Sequence, residues 1–419
     1  MSKKLFSLML VMVLFLAACG GGDVDSTSNE KSGGEGGDSK DPIRIGALYP
    51  MTGDLALLGE ESFRGAEIAV EEINANGGIN GRQVELVKGD AVDPDAAQSE
   101  ANRLINQENI QNIVGSFSSG ISFAASEVAE RNGSLYWELG AVADNITDRG
   151  YQSILRTNPP ASRFSVVHKN FIKDVVTEKL GKDLGELKVA IAHEDSSYGT
   201  TIADEFKKLA DEEGINIVLS QPYASSSNDL SSVILNIKKE EPDVLILVSY
   251  INDAILMSRQ MNELNVSVPV IIGTGGGHTM TDFATAVGEL AENLFNVDFP
   301  QYEINRDATP GMNEFIEAYK EKYGMEPRSG HSVANYMGMK VVLDIIAETG
   351  GKTDPETLRE AAMNYKVDNG TTATGWGVEF NPDTGQNMLG EPYVGQWIGG
   401  KLLTVYPEEV AIQEPLIGN

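Results

Sequence analysis

Residues 43–90 constrain the fold of this chain more than any other stretch. Ile43 to Tyr49 is a short apolar run with β-branched residues at Ile43 and Ile45, which predicts a buried strand. Residues 50–59 carry Pro50, the Thr52-Gly53-Asp54 triplet and Gly59, and read as a loop. An amphipathic helix follows, with Phe63, Ala66, Val70 and Ile73 on one face and Glu61, Arg64, Glu71 and Glu72 elsewhere. Gly77-Gly78 stops it, and residues 83–88 predict the next strand. Strand, helix and strand in this order form a βαβ unit. Its strands are parallel, and a parallel sheet is covered by helices on both faces. In open sheets of this kind ligands sit beyond the carboxyl ends of the strands. Here that place is the loop holding Leu55, Leu57 and Leu58.

The same alternation runs through most of the chain. Asp93-Pro94-Asp95 predicts a turn and N-cap for a helix with Ala97, Ala101, Leu104 and Ile105 inward. Strands are expected at 112–117 and 134–138. Between them lie the polar loop Ser118-Ser119-Gly120 and a helix over 121–131. Residues 154–160 end in a proline pair and predict the exit from a first lobe. Strands at 188–193, 216–220, 243–249 and 268–272 then alternate with helices at 164–180, 200–213, 230–240 and 253–264. A strand at 293–299 reads as a crossing back to the first lobe. Helices at 311–323, 332–348 and 355–363 follow, and 377–380, 392–398 and 401–406 read as antiparallel strands. At 419 residues the chain exceeds what one core usually supports. The expected fold class is α/β, in two lobes, each a mainly parallel sheet flanked by helices. Lobe 1 takes 42–158 and 299–365, and lobe 2 takes 159–298 and 366–419. Extended crossings between lobes suit a hinge that closes around a ligand.

The first residues read as an export segment. Lys3 and Lys4 precede an apolar run over 5–16 and the small residues Ala17-Ala18, so 1–18 form a signal peptide too short to span a bilayer. Leu16-Ala17-Ala18-Cys19 resembles the bacterial lipoprotein lipobox, which implies cleavage before Cys19 and lipidation of its thiol. Cys19 is the chain's one cysteine, so no disulfide forms within it. Residues 19–41, rich in Gly, Ser, Asp and Glu, read as an acidic tether reaching about 25 Å. The formal net charge of −30 argues against nucleic acid and against direct adsorption to an anionic membrane surface.

Six segments carry a family resemblance: residues 43–60, 64–82, the Ser118-Ser119 loop, 143–159, Asp195-Ser196-Ser197-Tyr198-Gly199, and 259–264. Together they resemble the branched-chain amino-acid-binding proteins, type I periplasmic solute-binding proteins of ABC importers. The resemblance implies the type I two-lobe fold with three hinge crossings. It also implies an extracytoplasmic, monomeric receptor that traps a small carboxylate-bearing solute and delivers it to a membrane permease. Related receptors take amides, urea or aromatic acids. A ligand-sensing ectodomain is the reading from another class.

The candidate ligand residues follow from both lines. Ser118 and Ser119 stand just before the helix expected from Ile121, where free N–H groups and the positive dipole end favour an anion. The family holds its ligand's α-carboxylate there. Leu58 sits where relatives place an apolar or aromatic wall. Gly140 and Ala141 match a loop that presents a backbone carbonyl, while Val142 occupies a Thr position and offers no hydroxyl. Glu138 stands where relatives have Ser, and reads as a ligand contact or a salt-bridge partner between lobes. Tyr198 matches a cleft tyrosine, and Tyr250 follows a strand end. His331 reads first as a surface histidine and second as a pocket-rim residue. Gly275 and Gly276 depart from the family, which usually has an acidic residue here for the ligand ammonium. Either Glu138 replaces it, or the ligand has no α-ammonium, and the glycines leave room for a larger or flatter ligand. No Gly-Lys-Ser/Thr follows, so this is not a phosphate loop. His168, His193, His278 and His331 lack metal-ligand spacing, so no metal, cofactor or catalytic residue is expected.

Overall fold

The computed structural model describes residues 41–418, so the expected export segment, Cys19 and the tether up to residue 40 lie outside the described residues. The first lobe is built from β1 (Ile43–Tyr49), α1 (Ala56–Ala75), β2 (Val84–Asp90), α2 (Pro94–Asn106), β3 (Asn112–Gly115), α3 (Ser119–Asn132), β4 (Leu135–Glu138) and β5 (Ile154–Arg156). Its strands lie in the order β2-β1-β3-β4-β5, all parallel. Gly46 stands opposite Ile113, and Trp137 opposite Leu155. The central position of β1 explains its apolar run. Only Arg44 along it is partly exposed, and its guanidinium reaches Glu108 at 2.7 Å.

The chain then enters a second sheet. α4 (Ala161–Phe171) and α5 (Thr177–Leu180) are joined by a π turn over Ile172–Val176. Next come β6 (Lys188–Glu194), α6 (Ser197–Glu213), β7 (Asn216–Tyr223), α7 (Ser231–Glu240), β8 (Val244–Val248), α8 (Ile251–Glu263), β9 (Val270–Thr274), α9 (Gly276–Thr279), α10 (Thr281–Val287) and β10 (Phe295–Asp298). After them lie α11 (Met312–Tyr323), α12 (Gly330–Glu348), α13 (Pro355–Asn364), the short strands β11 (Lys366–Val367) and β12 (Val378–Glu379), then β13 (Tyr393–Ile398) and β14 (Lys401–Tyr406). The second sheet runs β14-β13-β10-β9-β8-β6-β7. Strands β6 to β10 are parallel, and β13 and β14 close the far edge antiparallel. The chain passes between the lobes after β5, after β10 and before β13.

The strand expected to cross back does not. β10 lies inside the second sheet, with Phe295 opposite Ile272 on β9 and Val297 opposite Val394 on β13. Phe295 and Val297 share one face of the strand and Asn296 and Asp298 the other, and all four are buried, so the strand is covered on both faces, which a hinge strand lacks. The loop expected over 50–59 is also shorter. α1 begins at Ala56, so Leu57 and Leu58 stand in its first turn. Gly59 is helical, and a Cβ there would lie 1.8 Å from the Pro50 carbonyl oxygen. The glycine serves close approach of helix and strand end rather than a turn.

α12 is buried on nearly every side and packs along α1. A Cβ at Gly65 would lie 1.8 Å from the Ser332 carbonyl oxygen, so these helices meet backbone to backbone. Beside this contact the fully buried Glu61 carboxylate accepts hydrogen bonds from the Tyr319 hydroxyl (2.6 Å), the Arg328 amide (2.9 Å) and the Ser332 hydroxyl (2.5 Å). A buried carboxylate persists only with such a full set of donors. Here they pin the start of α12, and with it His331.

Candidate functional site

The carboxyl ends of the two sheets face each other across a narrow, nearly closed cavity. On one side stand Leu58 from the first turn of α1, Phe117 after β3, and Gly140 and Val142 after β4. On the other stand Tyr198 from the first turn of α6, Tyr250 after β8, Gly275 and Gly276 after β9, and Asp298 at the end of β10. Phe164 of α4 and His331 of α12 close the ends.

The two sides touch. The Phe117 and Tyr250 rings meet edge to face with centroids 6.3 Å apart, and the Ser118 hydroxyl lies 3.5 Å from that of Tyr250. Tyr198 packs on Tyr250 at 5.2 Å and donates its hydroxyl to the Thr274 carbonyl at 2.6 Å. Burial raises both phenols well above their ordinary pKa, so they remain neutral donors.

Ser118 is the N-cap of α3, yet its side chain makes no capping bond and faces Tyr250. The first amides of α3 have no partner within the helix. Ser119 is turned inward, where its hydroxyl accepts from the Ala143 amide at 3.2 Å. Of the residues expected at the site, Leu58, Gly140, Tyr198, Tyr250, Gly275 and His331 line the cavity, and Ser118 reaches its edge. Ser119, Glu138 and Ala141 are buried behind it.

Three expectations need correction. The glycine run after β9 leaves no extra room. A Cβ at Gly275 would lie 2.3 Å from the Tyr198 hydroxyl, one at Gly276 2.3 Å from a Leu58 methyl, and one at Gly277 2.3 Å from the Ser249 carbonyl oxygen. That space is already filled by neighbours from both lobes. His331 is not a surface residue. It is 4% exposed, its ring packs 4.7 Å from that of Phe299 and 6.1 Å from that of Phe117, and the Ser329 hydroxyl accepts its amide. Glu138 contacts neither cleft nor opposite lobe. Its Oε1 accepts from the amides of Gly140 (2.8 Å) and Ala141 (2.5 Å). The Ala141 carbonyl in turn accepts from Asn158 at 3.0 Å, so Ala141 is used up in shaping the loop.

The sequence reading missed Asp298. It is 1% exposed, and neither carboxylate oxygen has a hydrogen-bond partner. His331 Nε2 lies 3.5 Å from Oδ1. The available signal was an acid at the carboxyl end of a parallel strand, hidden because that strand read as a crossing.

A wider groove lies elsewhere on the surface, lined in part by Glu303, Arg306, Lys320 and Arg328. Its charges pair locally, Lys320 with Glu326 at 2.6 Å and Lys401 with Glu303 at 2.5 Å, and its strand residues come from the antiparallel edge pair β13 and β14 rather than from the carboxyl ends of the parallel strands. Among the described residues no cluster of His, Cys, Asp and Glu could hold a metal, and no helix is long and apolar enough to cross a membrane.

A family model described as "Periplasmic binding protein" matches residues 42–401. The chain belongs to that family. It is 46% identical over 373 residues to Leu/Ile/Val-binding protein homolog 7 of Brucella suis, covering 89% of this chain and 93% of that one. It is 44% identical over 371 residues to Leu/Ile/Val-binding protein homolog 8 of Brucella abortus, covering 88% and 92%. Among solved structures it resembles the branched-chain amino acid transporter substrate-binding protein LivJ of Streptococcus pneumoniae, crystallised with isoleucine. That match has a TM-score of 0.74 and 24% identity, covering 90% of this chain and 100% of that one. It also resembles a Rhodopseudomonas palustris solute-binding protein in complex with 3,4-dihydroxybenzoic acid, with a TM-score of 0.73 and 20% identity, covering 87% and 95%.

Within this periplasmic binding protein, Glu138 has a measurable consequence. Burial pushes its pKa up to about 8, against the lowering effect of the two loop amides. An acid whose pKa is raised on folding binds more protons folded than unfolded. Its contribution to stability is therefore present below about pH 4.5 and is lost as pH rises through about 8. Glu138→Gln keeps the loop bonds without the charge. Its melting temperature is expected to fall less than the wild type's between pH 5 and pH 8, measured by calorimetry. Parallel curves for the two proteins would contradict the assignment.

Proposed function

We propose that this chain is the solute-binding receptor of an ABC importer, held outside the cell membrane by lipidated Cys19. It closes two lobes on a small carboxylate-bearing solute, a branched-chain or related amino acid, and hands it to a permease without turnover. The observation that carries the reading is Ser118, an N-cap whose hydroxyl is left over from capping and faces Tyr250 of the other lobe. A carboxylate at this point would meet that hydroxyl and the unpaired first amides of α3 from one lobe and a neutral phenol from the other. Leu58, Phe117, Val142 and Phe164 supply apolar cover for an aliphatic side chain. The names of the Brucella relatives agree with this solute class.

Both lobes reach the solute only when closed, so binding shifts the balance between open and closed forms. Hydrogen bonds to a charged group contribute ~1.5–3 kcal/mol each. Ser118→Ala is therefore expected to weaken L-isoleucine or L-leucine binding by roughly 10-fold or more in titration calorimetry. Unchanged affinity would show that the carboxylate sits elsewhere. For the anchor, Cys19→Ser is expected to move the protein from the membrane to the aqueous fraction of a fractionated cell, and retention on membranes would remove the lipid from the account.

A further inference from the structure

We propose that Asp298, with His331 beside it, receives a cationic nitrogen of the solute. This rests on the reading of the cavity as the solute site, and it names the second polar group the solute must carry. Asp298 is buried at the end of β10, both of its oxygens lack hydrogen-bond partners, and it lines the cavity. No Lys or Arg lines that cavity. Both ring nitrogens of His331 are also without hydrogen-bond partners, and the 3.5 Å approach to Asp298 is not a hydrogen bond. Among the described residues the other fully buried carboxylates each have a donor on at least one oxygen: Glu61 from hydroxyls and an amide, Glu138 Oε1 from two amides, Glu194 from Ser196 and Gly199, and Asp253 Oδ2 from Tyr223. Asp298 departs from that pattern at the one place where a bound molecule would supply the donors.

An isolated buried carboxylate is costly, and a primary ammonium supplies both the opposite charge and several N–H donors. Asp298 comes from the second sheet, while His331 stands on the helix pinned to α1 of the first lobe. The pair therefore forms on closure, as the contact between Ser118 and Tyr250 does. A solute with only a carboxylate would leave Asp298 unpaired and add a like charge to the same small cavity. The site accordingly selects a zwitterion over a simple organic acid.

Three matched probes test this on the wild-type protein by titration calorimetry: L-isoleucine, 3-methylpentanoate, which lacks the amine, and 2-methylbutylamine, which lacks the carboxylate. L-isoleucine is expected to bind about 100-fold or more tighter than 3-methylpentanoate. Asp298→Asn, similar in shape, should lose most of that preference and leave 3-methylpentanoate binding equal or stronger. Equal affinity of the wild type for L-isoleucine and 3-methylpentanoate would overturn the proposal, and so would silence from both nitrogen-bearing probes. If 2-methylbutylamine binds as well as L-isoleucine and Asp298→Asn abolishes both, Asp298 stands and the carboxylate site at Ser118 falls. The wild-type comparison needs no variant, so a misfolded Asp298→Asn protein leaves the decision intact.

Discussion

The structure depends on one constraint: in a parallel sheet every strand ends on the same edge. Each strand then needs a loop and a helix to return, and the helix starts at that edge with unpaired amides. Two such sheets set edge to edge bring together loops that are far apart in sequence. Leu58 follows β1, Phe117 and Ser118 follow β3, and Gly140 and Val142 follow β4. Tyr198 follows β6, Tyr250 follows β8, Gly275 follows β9, and Asp298 ends β10. The cavity is thus a consequence of topology before it is a consequence of any one side chain.

What distinguishes this cavity is how its walls are held. Glu138 is sacrificed to loop geometry: its carboxyl fixes the amides of Gly140 and Ala141. Arg156, also fully buried, donates to the Ala143 carbonyl at 2.8 Å on the same loop. Glu61 performs the parallel task for α12. The glycines after β9 let Tyr198 and Leu58 press against the backbone from opposite lobes. Among the residues lining the cavity, Asp298 and His331 are the ones with buried side-chain atoms left without a hydrogen-bond partner. A group kept in its place by packing loses little freedom when a ligand arrives.

Much of this was legible in the sequence because it is local. Strand-helix alternation, the N-cap pattern at Asp93, the Ser118-Ser119 loop and the tyrosines after strand ends all follow from spacing within a few residues. The failures are nonlocal. Gly275 and Gly276 read as open space because nothing nearby in sequence shows Leu58 and Tyr198 filling it. His331 read as a surface residue because its cover, Phe117 and Phe299, comes from other elements. Glu138 read as a cleft group, yet its side chain folds back under its own loop. Asp298 was overlooked because an apolar strand bordering a proline looks the same in a hinge as in a sheet. Sequence periodicity locates strand ends, but only tertiary packing decides which side chains there stay unpaired.

Closure is the event that would join these parts, since Ser118 and His331 belong with one lobe and Tyr250 and Asp298 with the other. A solute shifts that equilibrium only by binding the closed form more tightly than the open one. The most direct measurement is small-angle X-ray scattering of the purified protein, solute-free and then saturated with an amino acid whose binding calorimetry has established. The account predicts a smaller radius of gyration and a shorter maximum dimension on saturation. Superimposable curves with the solute bound would contradict it.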